Sequence, residues 1–434
     1  MMSLYMHVID LKRINHLKRT LTIKLLSSFA IYRDLPSSIY ALAAARVILG
    51  MGNFIIPFLV LLLTEKLGYS ATHAGLLAMF VTATYFVGGF VGGKLSDSFG
   101  HKRIIVVGEL FGSMLLILCG FFSEHPTAVP VLLFSAYFWM GIASPASNAL
   151  VADLSVPNNR DAVMSLSYLA YNLGSAVGPV IAGYLFWSNT EWVFWGNGLA
   201  ALAGVIIIGA FVSNEKHTGE DCSDFEREVE GSVWRVLFER PRLVVFTLFC
   251  GVLWFVLHQM TMASPLYLSN LFEQQGAVIF GQLMTYACIV VVVITPLLMK
   301  LTMNKTEMIA MSYAGLLFGT GYGLILALPT VPIHFFAWFF LAAGEVLLLT
   351  KEGVYLANNS PTSHRGRIQG VLISLRSILV MPSFVIVGYM IDNYGYSSTW
   401  GVIIFCSGLA TLGFYSMEKL RKAPNNLETD NLNN

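Results

Sequence analysis

The sequence predicts an all-α membrane protein of twelve transmembrane helices, arranged as two six-helix pseudo-symmetric halves. Three observations carry this. Hydrophobic residues fill 56% of the 434 positions and charged residues only 12%, where soluble domains carry about 25% charged. Mean hydropathy is +0.68, and apolar runs recur along the whole chain. The basic residues between those runs fall almost entirely on one side.

In chain order the runs are 38–64, 70–92, 104–122, 128–151, 162–187, 192–213, 243–268, 277–299, 308–329, 332–355, 366–390 and 395–416. At about 1.5 Å per residue each can cross about 30 Å of hydrocarbon. With both termini in the cytoplasm, Lys66 is the one basic residue assigned to an outer loop, while Arg46 and Arg376 are left inside spans. That bias sets the orientation, in the cell (inner) membrane.

Around these spans the chain divides into five parts. Residues 1–36 interleave Ile9, Ile14, Leu17, Leu21 and Leu25 with Lys12, Arg13, Lys18, Arg19 and Lys24. A basic helix lying on the inner leaflet is expected, against a disordered tail or a misassigned start, and no cleavable signal is recognised. Residues 37–213 form the first half and 243–418 the second. Between them, 214–242 is a locally acidic cytosolic linker with one short helix near 223–239, and 419–434 is a cytosolic tail.

Several function classes are excluded by composition. A net charge of +1 suits neither nucleic acid nor an acidic partner. The five cysteines form no CxxC and no cluster with histidine, so no metal and no disulfide framework is expected. There is no GxxxxGK[ST], HExxH or GxSxG run, so no nucleotide, no cofactor and no enzyme activity is expected. The partners are then a small-molecule substrate, protons and the lipid bilayer, with the chain a monomer.

The run from Gly93 to Arg103 joins the second and third spans. Gly93 and Gly100 allow a tight turn, Asp97 can accept from N–H groups at a helix start, and Lys102 with Arg103 marks the inner side. Asp153 and Arg160, at the inner ends of the fourth and fifth spans, are expected to join Asp97 and Arg103 in a charge latch that breaks and reforms. The halves also echo each other: Ala152, Arg160, Gly183 and Tyr184 recur as Ala357, Arg365, Gly388 and Tyr389 at a constant offset of 205 residues. Duplicated six-helix halves point to a transporter.

On these residues the chain resembles the major facilitator superfamily from about 38 to 418. Gly93, Asp97, Gly100, Lys102 and Arg103 match its signature between helices 2 and 3. Asn172 to Gly183, with Gly174, Gly178, Pro179 and Gly183, resembles the helix-5 signature of its antiporters, though Ala182-Gly183 stands where Gly-Gly is usual. Two physical readings stay open for that run: close helix packing, or a kinked gate at Pro179. The second half keeps no intact copy of the first signature, since Lys300 to Lys305 has lost the glycines.

Ionisable groups inside spans are costly, about 2.5–3.5 kcal/mol each at mid-membrane on insertion scales. Glu345, mid-way along the tenth span, is the leading candidate for a proton-coupling or cation-binding carboxylate. Arg376 lies at comparable depth in the eleventh span and could meet it, either as a structural pair or as a switch. Glu109 in the third span is read as pairing with a neighbouring basic group. Arg46 is open between attracting substrate and anchoring at the membrane edge.

The resemblance implies that helices 1, 4, 7 and 10 line a central cavity. It thereby nominates Asn53, Tyr137, Trp139, Asn148, Trp254, Gln259 and Trp338 as substrate contacts and His258 as a proton relay or a packed imidazole. Aromatic and amide groups around one acid suit an amphiphilic or cationic organic ligand. Two departures matter: residues 128–151 contain no arginine, unlike proton-driven drug exporters, and Ala43-Ala44-Ala45-Arg46 replaces the Glu-x-x-Glu-Arg of peptide carriers. The expectation is a secondary transporter working by alternating access, with proton-coupled export of amphiphilic drugs or metabolites. The alternatives are proton-coupled uptake of a small organic solute and, remotely, a non-transporting membrane sensor or enzyme.

Overall fold

A computed structural model describes residues 32–33, 35–155, 159–212, 241–359 and 365–422. The expected amphipathic helix before residue 32, the linker helix near 223–239 and the tail beyond 422 lie outside the described residues, as do the side chains of Asp97 and Arg160. Among the described residues the chain is almost wholly helical. The helices are α1 (Ser37–Met51), α2 (Ile55–Leu61), α3 (Ala71–Phe99), α4 (His101–Phe121), α5 (Ala128–Asp153), α6 (Arg160–Ser188), α7 (Thr190–Phe211), α8 (Pro241–His258), α9 (Ala263–Phe272), α10 (Gln274–Thr302), α11 (Glu307–Ala327), α12 (Val331–Asn359), α13 (Arg365–Val380) and α14 (Ser383–Lys422).

By length and hydropathy, eleven segments among the described residues can cross a membrane. The last of them runs from Ser374 to Arg421 and takes in most of the eleventh predicted run and all of the twelfth. Inside α14 the helix is broken at Gly395, whose φ of 75° is one that only glycine adopts without strain. The eleven segments and the twelve predicted spans differ at that glycine.

Two spans are broken, each just before a proline. Pro57 is the third residue of α2 and Pro265 the third of α9; neither can donate to the turn before it. The chain re-satisfies itself at both breaks, as an apolar interior requires. Asn197 Oδ1 accepts from Ile55 N at 3.3 Å, while His258 O accepts from Thr261 N and Met262 N at 3.1 and 3.0 Å. Each break thus leaves polar groups at mid-depth.

The apolar core is not uniform along the molecule. One cluster draws from residues on both sides of the linker, and toward the end carrying the turns at Gly68, Glu273 and Gly395 it fully buries Phe58, Phe186, Phe280, Trp338 and Trp400. Phe58 meets Phe280 edge-on at 5.0 Å between ring centres. A second cluster, around Leu42, Ile105, Ile142 and Ile208, contains only residues before the linker. Packing crosses between the two sequence segments at the turn end, and at the linker end this cluster packs within the first.

Two helix pairs make most of that crossing: α6 runs along α10, and α3 along α14. Both seams are backbone-close. A Cβ on Gly281 would strike Pro179 O, and one on Gly388 would strike Ala71 O, so only glycine permits the approach. Asp392 ties the second seam, its carboxylate accepting from Ala71 N at 3.1 Å and Thr72 N at 2.8 Å.

Candidate functional site

Between the seams, a cavity of about 1050 Å³ lies toward the linker end. α6 contributes Tyr168, Leu169 and Asn172; α8 Trp254 and His258; α10 Met284, Val291 and Pro296; and α12 Glu345 and Leu349. Its walls are mostly apolar because these helices turn Leu, Val and Met inward where nothing packs against them. Glu345 is the one carboxylate among its lining residues, and it makes no hydrogen bond or ion pair among the described residues. A carboxylate on an apolar wall without a protein partner must find a proton or a cation.

Arg376 is not the partner of that acid. It binds Glu352 instead, NH1 lying 2.7 and 2.8 Å from the two carboxylate oxygens. Trp254 Nε1 donates to the same carboxylate at 2.8 Å, and the Arg376 guanidinium lies 4.2 Å from the Trp254 ring centre. Glu352 is 5% exposed. The group is a closed triad: a buried carboxylate satisfied by a guanidinium and an indole, with the cation further held by the aromatic face. Sequence reasoning missed Glu352 because it lies near the end of the tenth predicted span. The available signal was its spacing of seven from Glu345, which puts both acids on one helix face, about 10 Å apart.

His258 Nδ1 donates to Trp254 O at 2.7 Å; since a carbonyl only accepts, Nδ1 carries the proton there. Its ring lines both the large cavity and a recess of about 130 Å³ that also contains Arg376 and Thr82 of α3. Trp254 lines both as well.

The remaining nominated residues separate into two sets. Arg46, Asn53, Tyr137 and Asn148 line another recess, of about 220 Å³, among helices of the first segment. Trp139, Gln259 and Trp338 are not among the lining residues of either space. Trp139 stacks on Phe111 at 4.8 Å, and Gln259, fully buried, gives its amide to Phe255 O at 2.7 Å. Trp338 is 0% exposed and sits edge-on to Phe280. These side chains face packed neighbours, and neither α1 nor α5 contributes a lining residue to the large cavity.

At the linker end, Gly100 makes the α3–α4 turn with φ 85°. His101 Nδ1 meets Asp153 Oδ2 at 2.6 Å and Lys102 Nζ donates to Val212 O at 2.6 Å, so Asp153 does enter a polar contact with this turn. Arg103 is exposed, and a Cβ on Gly93 would meet open space. In α6, Gly174 and Gly178 lie against the α1 backbone at Val47 and Met51, and Gly183 against Ala277 of α10. All three serve close approach, with Pro179 inside the helix between them.

Compared with known proteins, residues 42–379 match the model of the Major Facilitator Superfamily. An uncharacterized MFS-type transporter of Bacillus subtilis, YqjV, is 24% identical over 365 residues, covering 82% of this chain and 87% of its own. A Na(+), Li(+), K(+)/H(+) antiporter of Planococcus maritimus is 22% identical over 348 residues, covering 72% and 80%. Among solved structures, the peptide transporter POT superposes with a TM-score of 0.73 at 13% identity, over 88% of this chain and 94% of its own.

Proposed function

Because the chain belongs to the Major Facilitator Superfamily, we propose that it is a secondary active transporter that exports amphiphilic drugs or metabolites in exchange for protons. The observation that carries this reading is the unpaired Glu345 on the mostly apolar wall of the 1050 Å³ cavity. Apolar contact at about 25 cal/mol per Å² supplies attraction without directional demands, and the carboxylate supplies preference for a cation. Proton and cationic substrate cannot both neutralise one carboxylate. That exclusion couples their movements, because each binds best when the other has left.

Alternating access follows from the same geometry. Twelve crossings in two six-helix halves result if the chain crosses separately before and after Gly395, with both termini in the cytoplasm. The cavity then faces inward, and the seams α6–α10 and α3–α14 close the outer side. Opening outward requires those seams to part while the linker ends come together, where Asp153 already meets His101. His258 and the Arg376–Glu352 pair, beside the cavity, would sense that movement. The antiporter among the relatives favours exchange over symport.

The test is transport by the purified protein in proteoliposomes with an imposed pH gradient, over cationic, neutral and anionic compounds. Glu345→Gln should lose gradient-driven transport at least tenfold and retain downhill exchange. Gradient-driven movement that survives the substitution unchanged removes Glu345 from the coupling. Substrate moving in the same direction as the proton would instead identify an uptake carrier.

A further inference from the structure

The recess of about 220 Å³ in the first segment shares no lining residue with the large cavity. Two opposite charges line it: Arg46 from α1 and Glu109 from α4. They form no ion pair with each other. Arg46 is held to α5, its NH2 donating to Ser147 Oγ at 3.2 Å, to Ser147 O at 3.4 Å and to Asn148 Oδ1 at 3.3 Å. Its Nε is buried and unpartnered, and so is Glu109 Oε2, among the described residues.

A buried polar atom left without a hydrogen bond is expensive, since removing one oxygen or nitrogen from water without replacing its hydrogen bond costs about 1–3 kcal/mol. The simplest relief would be collapse into a direct pair, as Arg376 and Glu352 do. Here Arg46 is tethered to Ser147 and Asn148 instead. A lone cation beside Glu109 would share the recess with Arg46, and a lone anion beside Arg46 would share it with Glu109. A molecule carrying both charges complements both side chains that line the recess. The hydroxyl-bearing rings of Tyr85, Tyr137 and Tyr171 complete the polar lining.

We propose that this recess binds a small zwitterion, its carboxylate at Arg46 and its ammonium at Glu109. Its volume is below the roughly 300–1,000 Å³ of pockets for drug-sized ligands, which confines the class to solutes of amino-acid size. The site is independent of the coupling role given to Glu345.

Isothermal titration of the purified full chain in detergent tests this, with the twenty α-amino acids, β-alanine and γ-aminobutyrate as probes and ethylamine and propionate as single-charge controls. At least one zwitterion should bind saturably, with both controls at least tenfold weaker. That comparison is made on the parent protein and depends on no variant folding. Glu109→Gln and Arg46→Gln should each weaken the binding at least tenfold, Glu109→Asp should recover part of it, and Glu345→Gln should leave it unchanged. The proposal is overturned if no zwitterion binds the parent, if either control binds as tightly, or if Glu345→Gln abolishes the binding, which would place the ligand in the large cavity. Loss of coupling in Glu345→Gln with zwitterion binding intact separates this site from the transport reading.

Discussion

Glu345 and Glu352 sit on one face of α12, yet their surroundings give them opposite characters. Glu352 has a guanidinium and an indole within 2.8 Å, whereas Glu345 faces an apolar cavity with no protein partner among the described residues. The paired acid is structural in its energetics: removing one partner of a buried pair costs about 3–5 kcal/mol because the other charge is stranded. Glu352→Gln and Arg376→Gln should each lower the thermal stability of the detergent-solubilised protein by about that much. The double variant should lose far less than the sum, and an additive result in that cycle would mean the pair contributes nothing of its own. Glu345→Gln should leave the melting temperature nearly unchanged while affecting transport. Both acids were visible in the sequence as letters inside or near an apolar run. Which one is paired was not, since the partner of Glu352 comes from α13 and its third member from α8.

Among elements, the broken spans and the glycine seams were legible to different degrees. Pro57 and Pro265 stand just after their breaks, where the missing N–H leaves one bond unmade, but Pro145, Pro179 and Pro296 lie inside continuous helices, so proline alone did not announce a break. The helix-5 run left two readings open, and Gly174, Gly178 and Gly183 all stand at backbone contacts with α1 or α10. The glycines on the facing surface, such as Gly281, had no motif to announce them. Gly281→Val should push α10 away from α6, since overpacking a close contact costs about 1–3 kcal/mol. In a background lacking the native cysteines, a cysteine at the fully buried Ala277 should then react with maleimide at least tenfold faster. Unchanged labelling would show that the seam absorbs the methyl groups without parting.

For the whole molecule the decisive asymmetry is that packing crosses between the segments at the turn end and an open cavity lies toward the linker end. Asp392 belongs to that closure: it accepts from the first N–H groups of α3 across the seam, where the helix dipole favours an anion. Charge-assisted bonds of this kind contribute about 1.5–3 kcal/mol. Asp392→Ala should shift the population toward an open turn end by about 10–150-fold. Spin labels on the exposed turn residues His125 and Leu328 should report a longer distance in that variant, and an unaltered distribution would remove Asp392 from the closure.

The sequence by itself determined that this is a helical membrane protein, where most of its spans lie, and which family it resembles. These are local properties: hydropathy over about twenty residues, the missing N–H of proline and the spacing of glycine and charge in one turn all act within a single stretch of chain. Of the residues nominated for one central cavity, Trp254, His258 and Glu345 line the large cavity, while Arg46, Asn53, Tyr137 and Asn148 line a separate recess. Only the tertiary structure decided that Arg376 holds Glu352, that Trp139, Gln259 and Trp338 face packed neighbours, and that Arg46 and Glu109 share a recess without touching. Those outcomes depend on how helices distant in sequence are rotated about their axes. A rotation of one residue position, about 100°, exchanges a cavity wall for a packed seam while leaving the hydropathy of the run unchanged.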